Sequence, residues 1–113
     1  MALNVLRFQF RPDSPVGIDV ERSHTGVTGS GDLEILMEKR DLGGNVEFKI
    51  TTPVVGFDDV WEKVLDRFIS ESGLANVAIE INDDNATPIV VYTRLCQALE
   101  ETRREGVAGD GVV

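Results

Sequence analysis

The chain is poor in the residues that most often build metal and catalytic sites. It contains one cysteine, Cys96, and one histidine, His24, among 113 residues. A single cysteine cannot form an internal disulfide, and one thiol with one imidazole supplies too few ligands for a structural zinc site. We therefore expect neither a disulfide nor a bound metal.

Long apolar segments and basic residues are scarce as well. No N-terminal stretch has the length of a signal peptide or a transmembrane helix, which predicts a protein of the reducing cytoplasm that does not enter a membrane. The chain has 11 basic and 20 acidic residues, a formal charge of −9. A phosphate backbone would repel this charge, so we expect no nucleic-acid partner and instead expect protein partners with basic patches.

What the chain does contain is enough for one domain. The hydrophobic share of 42% can fill a single core at this length. We expect residues 1–113 to form one domain, with residues 1–3 and 106–113 frayed at its ends.

Period-two alternation of apolar and polar residues predicts the strands. It is clear in residues 4–10, 33–38, 46–51 and 77–82, and Ile18 and Val20 suggest a further short strand. Residues 33–38 and 46–51 are separated by the turn-forming sequence Asp41-Leu42-Gly43-Gly44. The two segments are therefore predicted to pair as a hairpin.

Two segments have the apolar spacing of helices. The first runs from Phe57 to Ile69 and is expected to stop at Gly73, while the second has Thr87 as N-cap, Pro88 as its first helical residue and an end near Arg104. With the strands, these helices predict an α+β fold, a mostly antiparallel β-sheet covered on one face by two α-helices.

Several clusters that suggest sites have simpler interpretations. We interpret the acidic residues of the first helix as a solvated face, and Asn82 to Asn85 as a strand-to-helix turn, because the glycine that an EF-hand needs at its sixth position is replaced by Pro88. His24 is expected at the surface. Three other side chains are expected to pack in the core: Trp61, Phe68 and Cys96.

Gly29-Ser30-Gly31-Asp32 places an unhindered hydroxyl between two glycines where a strand begins. By spacing alone, these residues form a tight turn. A serine that attacks a substrate needs a base to take its proton, yet the one imidazole of the chain lies six positions away at His24. Ser30 is therefore predicted to be acted upon by another molecule.

A family resemblance extends this prediction. Residues 26–36, with the sequence GVTGSGDLEIL, resemble the prosthetic-group region of the acyl carrier (delta) subunit of biotin-independent malonate decarboxylase. A second block is similar to the family's C-terminal strand, turn and helix and consists of residues 81–83, 86–88, 90–91, 94–95 and 97–101. The family usually has glycine where Asn85 and Ile89 stand, and neither departure touches Ser30.

The resemblance implies a non-catalytic carrier. Ser30 would hold, through a phosphodiester, a phosphoribosyl-dephospho-CoA arm whose thiol carries acetyl and malonyl groups during conversion of malonate to acetate and CO2. Gly29 and Gly31 would give access to the hydroxyl, and Asp32 would bond the turn or orient the carrier. The implied partners are the acyltransferase and decarboxylase subunits and the transferase that attaches the prosthetic group, the holo-carrier synthase.

Three alternatives remain open at this point. The citrate lyase acyl carrier (gamma) subunit shares the arm, although the Ala86-Thr87-Pro88 block favours malonate decarboxylase. An acidic interaction adaptor without a covalent group is a different class of function, and an independent hydrolase that uses Ser30 is the weakest alternative.

Overall fold

The computed structural model describes residues 3–108 of the chain. Five strands and two helices follow one another in the order that the sequence predicts: β1 (Asn4–Phe10), β2 (Arg22–Gly26), β3 (Asp32–Lys39), β4 (Val46–Thr52), α1 (Asp58–Ser72), β5 (Val77–Asp84) and α2 (Pro88–Ala108). The fraying predicted for residues 1–3 and 106–113 falls mostly outside the described residues. Residues 106–108 belong to α2.

The strands form one sheet in the order β1-β4-β5-β3-β2. Three of its four pairings are antiparallel, and only β4 and β5 run parallel. Both helices pack on one face of the sheet, where alternate residues of β3, β4 and β5 are fully buried. The predicted α+β class, with a mostly antiparallel sheet and two helices, is confirmed.

The predicted hairpin between residues 33–38 and 46–51 is wrong, because β5 lies between the two strands and pairs with both. Helix α1 returns the chain to the end of the sheet where β4 begins. Strand β5 therefore runs parallel to β4 and pairs along its edge, as in a β-α-β unit. The Asn76 side chain accepts hydrogen bonds from the amides of Leu42 and Gly44 at 3.0 and 2.9 Å. The glycine-rich loop therefore crosses the start of β5 instead of closing a two-strand turn.

The second strand also lies elsewhere than predicted. Ile18 is a buried core residue without strand structure, and β2 is formed by the polar sequence Arg22–Gly26. This edge strand faces the core with Thr25, which is 3% exposed and donates its hydroxyl to Glu101 of α2 at 2.7 Å. A hydrogen bond replaces apolar packing here, so the strand has no hydrophobic alternation to detect.

The predicted helix boundaries hold at three of the four ends. Gly73 terminates α1 with a φ of 68°, and Thr87 accepts a hydrogen bond from the Val90 amide at 3.3 Å while Pro88 opens α2. Helix α2 continues to Ala108, beyond the predicted end near Arg104. Neither helix in the described part of the chain is long and apolar enough to span a bilayer.

Candidate functional site

Ser30 lies at the outer corner of a tight turn that leads into β3. The Asp32 amide donates to the Gly29 carbonyl at 2.9 Å, which closes the turn around Ser30 and Gly31. Gly31 has a φ of 76°, the positive value that a type II turn requires at its third position. Ser30 is exposed, and no hydrogen bond or ion pair involves its hydroxyl within residues 3–108.

The turn is fixed to the central strand of the sheet. The Gly31 amide donates to the carbonyl of Asp84, the last residue of β5, at 2.7 Å, and the next residue, Asp32, pairs with Asp84 in the sheet register. An exposed turn with no such bond would be expected to fluctuate. Here the backbone on both sides of Ser30 is hydrogen-bonded, so the hydroxyl is presented from a defined position.

Asp32 ties the same turn to helix α2. Its two carboxylate oxygens accept from Arg94 Nε at 2.9 Å and Nη2 at 2.6 Å, a bidentate pair, and Oδ1 also accepts from the Leu33 amide at 2.7 Å. The hydrogen bonds from Arg94, followed by that from Leu33, hold the pKa of Asp32 below its ordinary value. Asp32 thus stays ionised at neutral pH and connects the start of β3 to the helix.

A buried carboxylate supports the segment on which the turn rests. Asp83 is 6% exposed and accepts from the Thr52 hydroxyl at 2.8 Å, the Ala86 amide at 3.0 Å and the Asn85 amide at 3.3 Å. Asn85 has a φ of 66°, in agreement with the strand-to-helix turn predicted from the sequence. Because Asp83 bonds both the end of β4 and the β5–α2 turn, it fixes the strand end that receives Gly31.

Of the two glycines beside Ser30, only Gly31 is favoured by the backbone conformation of the turn. A Cβ on Gly31 would meet no atom within 4 Å, so its positive φ is what disfavours other residues. Gly29 has no positive φ, and a Cβ there would meet only the Val27 side chain at 4.0 Å, an ordinary contact. Nothing within the described chain therefore demands glycine at position 29.

The one histidine is engaged elsewhere. His24 Nε2 lies 2.7 Å from Glu34 Oε2, and Glu34 Oε1 accepts from the Asn82 amide group at 2.8 Å and from the Thr28 hydroxyl at 3.3 Å. The Asn82 bond, and next the His24 bond, lower the pKa of Glu34. The described chain therefore shows no hydrogen-bonded base that would make Ser30 a nucleophile.

The other candidate residues lie away from this turn or outside any cluster. The predicted solvated face of α1 is exposed, as expected, and consists of Asp58, Asp59, Glu62 and Asp66. No group of three or more potential metal ligands occurs within residues 3–108. Trp61 and Phe68 are buried as predicted, but the prediction for Cys96 is wrong, because its side of α2 faces solvent.

Two residues at the site escape sequence reasoning. Arg94 is separated from Asp32 by most of the chain, and no spacing rule links them. Asp83 is one of four turn-forming polar residues, and in the folded structure it is buried while Asn82 and Asp84 are half-buried and Asn85 is exposed. Only the alternation that makes Asp83 inward-facing, continuing from Val77, Ile79 and Ile81, could have indicated its burial.

Comparisons with known proteins converge on one description. The family model described as "Malonate decarboxylase delta subunit (MdcD)" matches residues 20–102. A malonate decarboxylase acyl carrier protein from Malonomonas rubra is 54% identical over 101 residues, covering 89% of this chain and 90% of the relative. One from Xanthomonas campestris pv. campestris (strain B100) is 40% identical over 98 residues, covering 87% and 93%.

A solved structure is similar as well. One chain of a Pseudomonas malonate decarboxylase hetero-tetramer, crystallised in complex with malonate, superposes with a TM-score of 0.74 at 34% identity. The similarity covers 88% of the present chain and 98% of that chain. The relation therefore extends over nearly the whole domain.

Proposed function

The chain belongs to the malonate decarboxylase delta subunit family, and from this membership we propose that Ser30 carries the acyl-bearing prosthetic group of the enzyme. It is an acyl carrier subunit of malonate decarboxylase, a carrier rather than a catalytic subunit. The attachment residue and the chemical identity of the group are the proposed parts. The group is a phosphoribosyl-dephospho-CoA arm, joined to Ser30 by a phosphodiester.

The observation that carries the proposal is the exposed Ser30 hydroxyl, which has no partner within residues 3–108 and sits on a fixed turn. The hydroxyl faces solvent, and its neighbours Gly29 and Gly31 place no side chain beside it. These features fit a covalent arm that must be attached by one enzyme and presented to others.

The chain's own residues provide the attachment point for the arm and hold that point in place. When bound, the arm supplies a thiol whose thioester stabilises the carbanion left by loss of CO2. In loading, the Ser30 oxygen would bond to the phosphorus of an activated precursor of the arm, the bond from that phosphorus to the precursor's leaving group would break with release of that group, and the serine proton would pass to a base of the transferase. Gly31 and Asp32 hold the turn in place, through Asp84 and Arg94 respectively.

The proposed partners follow from the carrier role. A related chain occurs in a malonate decarboxylase hetero-tetramer. We place the acyltransferase and decarboxylase subunits beside this chain in the same way, and the prosthetic-group transferase as a transient partner. A cytoplasmic location is supported by Cys96, a single exposed and unpaired thiol, because such thiols persist where the medium is reducing.

Intact mass spectrometry tests the attachment site. The chain is produced together with the enzymes that make and attach the group, and its mass is compared with that of the chain made alone. Peptide mapping is expected to place the added mass on Ser30, and Ser30→Ala is expected to remain unmodified and to give an inactive decarboxylase.

Thr28→Ala is the matched control, since it removes an exposed hydroxyl two residues before Ser30. This variant is expected to load fully. An adduct that persists in Ser30→Ala, or full decarboxylase activity from that variant, would overturn the proposal.

A further inference from the structure

An apolar groove opens between the beginnings of the two helices. Its volume is about 310 Å³, and Trp61, 6% exposed, lines it. The remaining apolar walls come from α1 and its entry on one side and from the β5–α2 turn and α2 on the other: Val54, Phe57, Val60, Val64, Ala86, Pro88 and Val91. The lining also includes the polar residues Asp83, Asn85 and Thr87.

The mouth of this groove exposes unusually large apolar side chains. Two apolar residues that line it are exposed: Phe57 is 53% exposed, and Val60, in the first turn of α1, is 39% exposed. Phe57 also occupies the N-cap of α1 and makes no side-chain capping bond. Serine or aspartate at this position would stabilise the helix, so the aromatic side chain is not explained by the stability of the isolated chain.

The groove lies beside the Ser30 turn. Gly31 is hydrogen-bonded to Asp84, and the residues on either side of Asp84, Asp83 and Asn85, both line the groove. Two residues of extended chain span only about 7 Å. A protein that takes the group on Ser30 into its active site therefore approaches this end of the domain.

Charge decides between possible occupants. Phe57 is followed by the exposed Asp58 and Asp59, and Asp83 lines the groove next to the half-buried Asp84. These carboxylates would repel a polyanionic arm folded back from Ser30 into the groove, whereas they would attract a protein surface with basic residues.

We propose that the groove is the docking surface for the subunit of malonate decarboxylase that receives the arm of Ser30. An apolar side chain of that partner enters between Phe57 and Val91, and basic residues around it face Asp58 and Asp59. This inference rests on the proposed carrier function, and it assigns the surface that the attachment site alone leaves undefined.

Phe57→Ser separates docking from folding, because it places a favoured capping residue where none exists. Binding of the loaded chain to the remaining decarboxylase subunits, purified together without their carrier, is measured by calorimetry. The variant is expected to be at least as heat-stable as the wild type and to bind about tenfold or more weakly, the range of interface anchors. Val60→Asp is a second variant with the same expected loss.

Val16→Ser is the matched control, because Val16 is 47% exposed and pairs with Leu74 just beyond the end of α1, away from the groove. It should bind like the wild type, and the wild-type affinity should fall as salt is added. Unchanged affinity in both Phe57→Ser and Val60→Asp would overturn the docking surface. Normal mass addition on Ser30 in that case would leave the carrier function standing.

Trp61 reports the competing occupants, because it is the only tryptophan of the chain. The emission of the isolated chain is expected to be the same before and after loading of Ser30, and sedimentation is expected to show a monomer. A loading-dependent shift that disappears in Val60→Asp would assign the groove to the arm, and a groove-dependent dimer would assign it to a second copy. Either result would replace the proposed partner.

Discussion

Alanine at Gly31 should lower the stability of the chain, whereas alanine at Gly29 should slow loading of Ser30 without changing stability. At Gly31 an alanine would have to adopt a φ near 76°, although its Cβ would touch nothing within 4 Å. The cost is therefore the left-handed backbone alone, about 1–2 kcal/mol. At Gly29 no positive φ is required and the added Cβ lies 4.0 Å from the Val27 side chain, so stability should change by less than about 0.5 kcal/mol.

Urea and thermal unfolding of the unmodified chain measure the first effect. For a domain of this size, 1–2 kcal/mol corresponds to a fall in Tm of about 4–8 °C for Gly31→Ala. Gly31→Asn should recover part of the loss, since asparagine tolerates a positive φ better than alanine does. Wild-type stability in Gly31→Ala would refute the conformational account of this turn.

The rate of mass addition by the prosthetic-group transferase measures the second effect. Gly29→Ala should load more slowly than the wild type while unfolding at the same temperature, because its one steric consequence lies outside the chain. Loading at the wild-type rate would show that Gly29 is not needed for access by the transferase. A loss of stability equal to that of Gly31→Ala would refute the assignment of separate roles.

Three further outcomes are expected. Asp32→Asn should destabilise the chain at neutral pH. Because the pKa of Asp32 is lowered in the folded state, the stabilisation is present above the unfolded pKa of about 3.8 and is lost as pH falls through the folded value. Urea titrations of wild type and variant should therefore converge in acid, and a constant difference would contradict the role of Arg94. Thr52→Val should cost about 1–3 kcal/mol in urea unfolding by removing a buried donor to Asp83, and no change would show that the bond is replaceable. Cys96 should react fully with Ellman's reagent in the folded chain, and reaction only after denaturation would contradict its exposure.

The order of elements is readable from the sequence because their local patterns agree with the folded structure. Alternation marks β1, β3, β4 and β5, the apolar stripe marks α1, and Thr87 with Pro88 marks the start of α2. Strand pairing is not readable in this way. The same alternating faces are satisfied by a β3–β4 hairpin and by insertion of β5, and the choice depends on where α1 leads the chain.

At the candidate site, too, the local contacts are predictable from the sequence and the contacts between distant segments are not. Ser30, Gly31 and Asp32 form a local turn, so their chemistry predicts the arrangement that is observed. The contacts of Asp32 with Arg94 and of Gly31 with Asp84 join distant segments and have no local signature. The predicted burial of Cys96 is wrong, because its place beside an apolar stripe does not reveal which side of α2 the sheet covers.

The insertion of β5 between β3 and β4 also sets when the serine becomes competent during protein synthesis. A ribosome releases the Ser30 segment well before β5, yet the turn is fixed in position only when Gly31 bonds the Asp84 carbonyl. The central strand is the last to be made, so the sheet closes by contacts between distant parts of the chain, after α1 has formed a crossover. A nascent or truncated chain would therefore lack the fixed position of this turn, and the proposed attachment to Ser30 would follow completion of the fold.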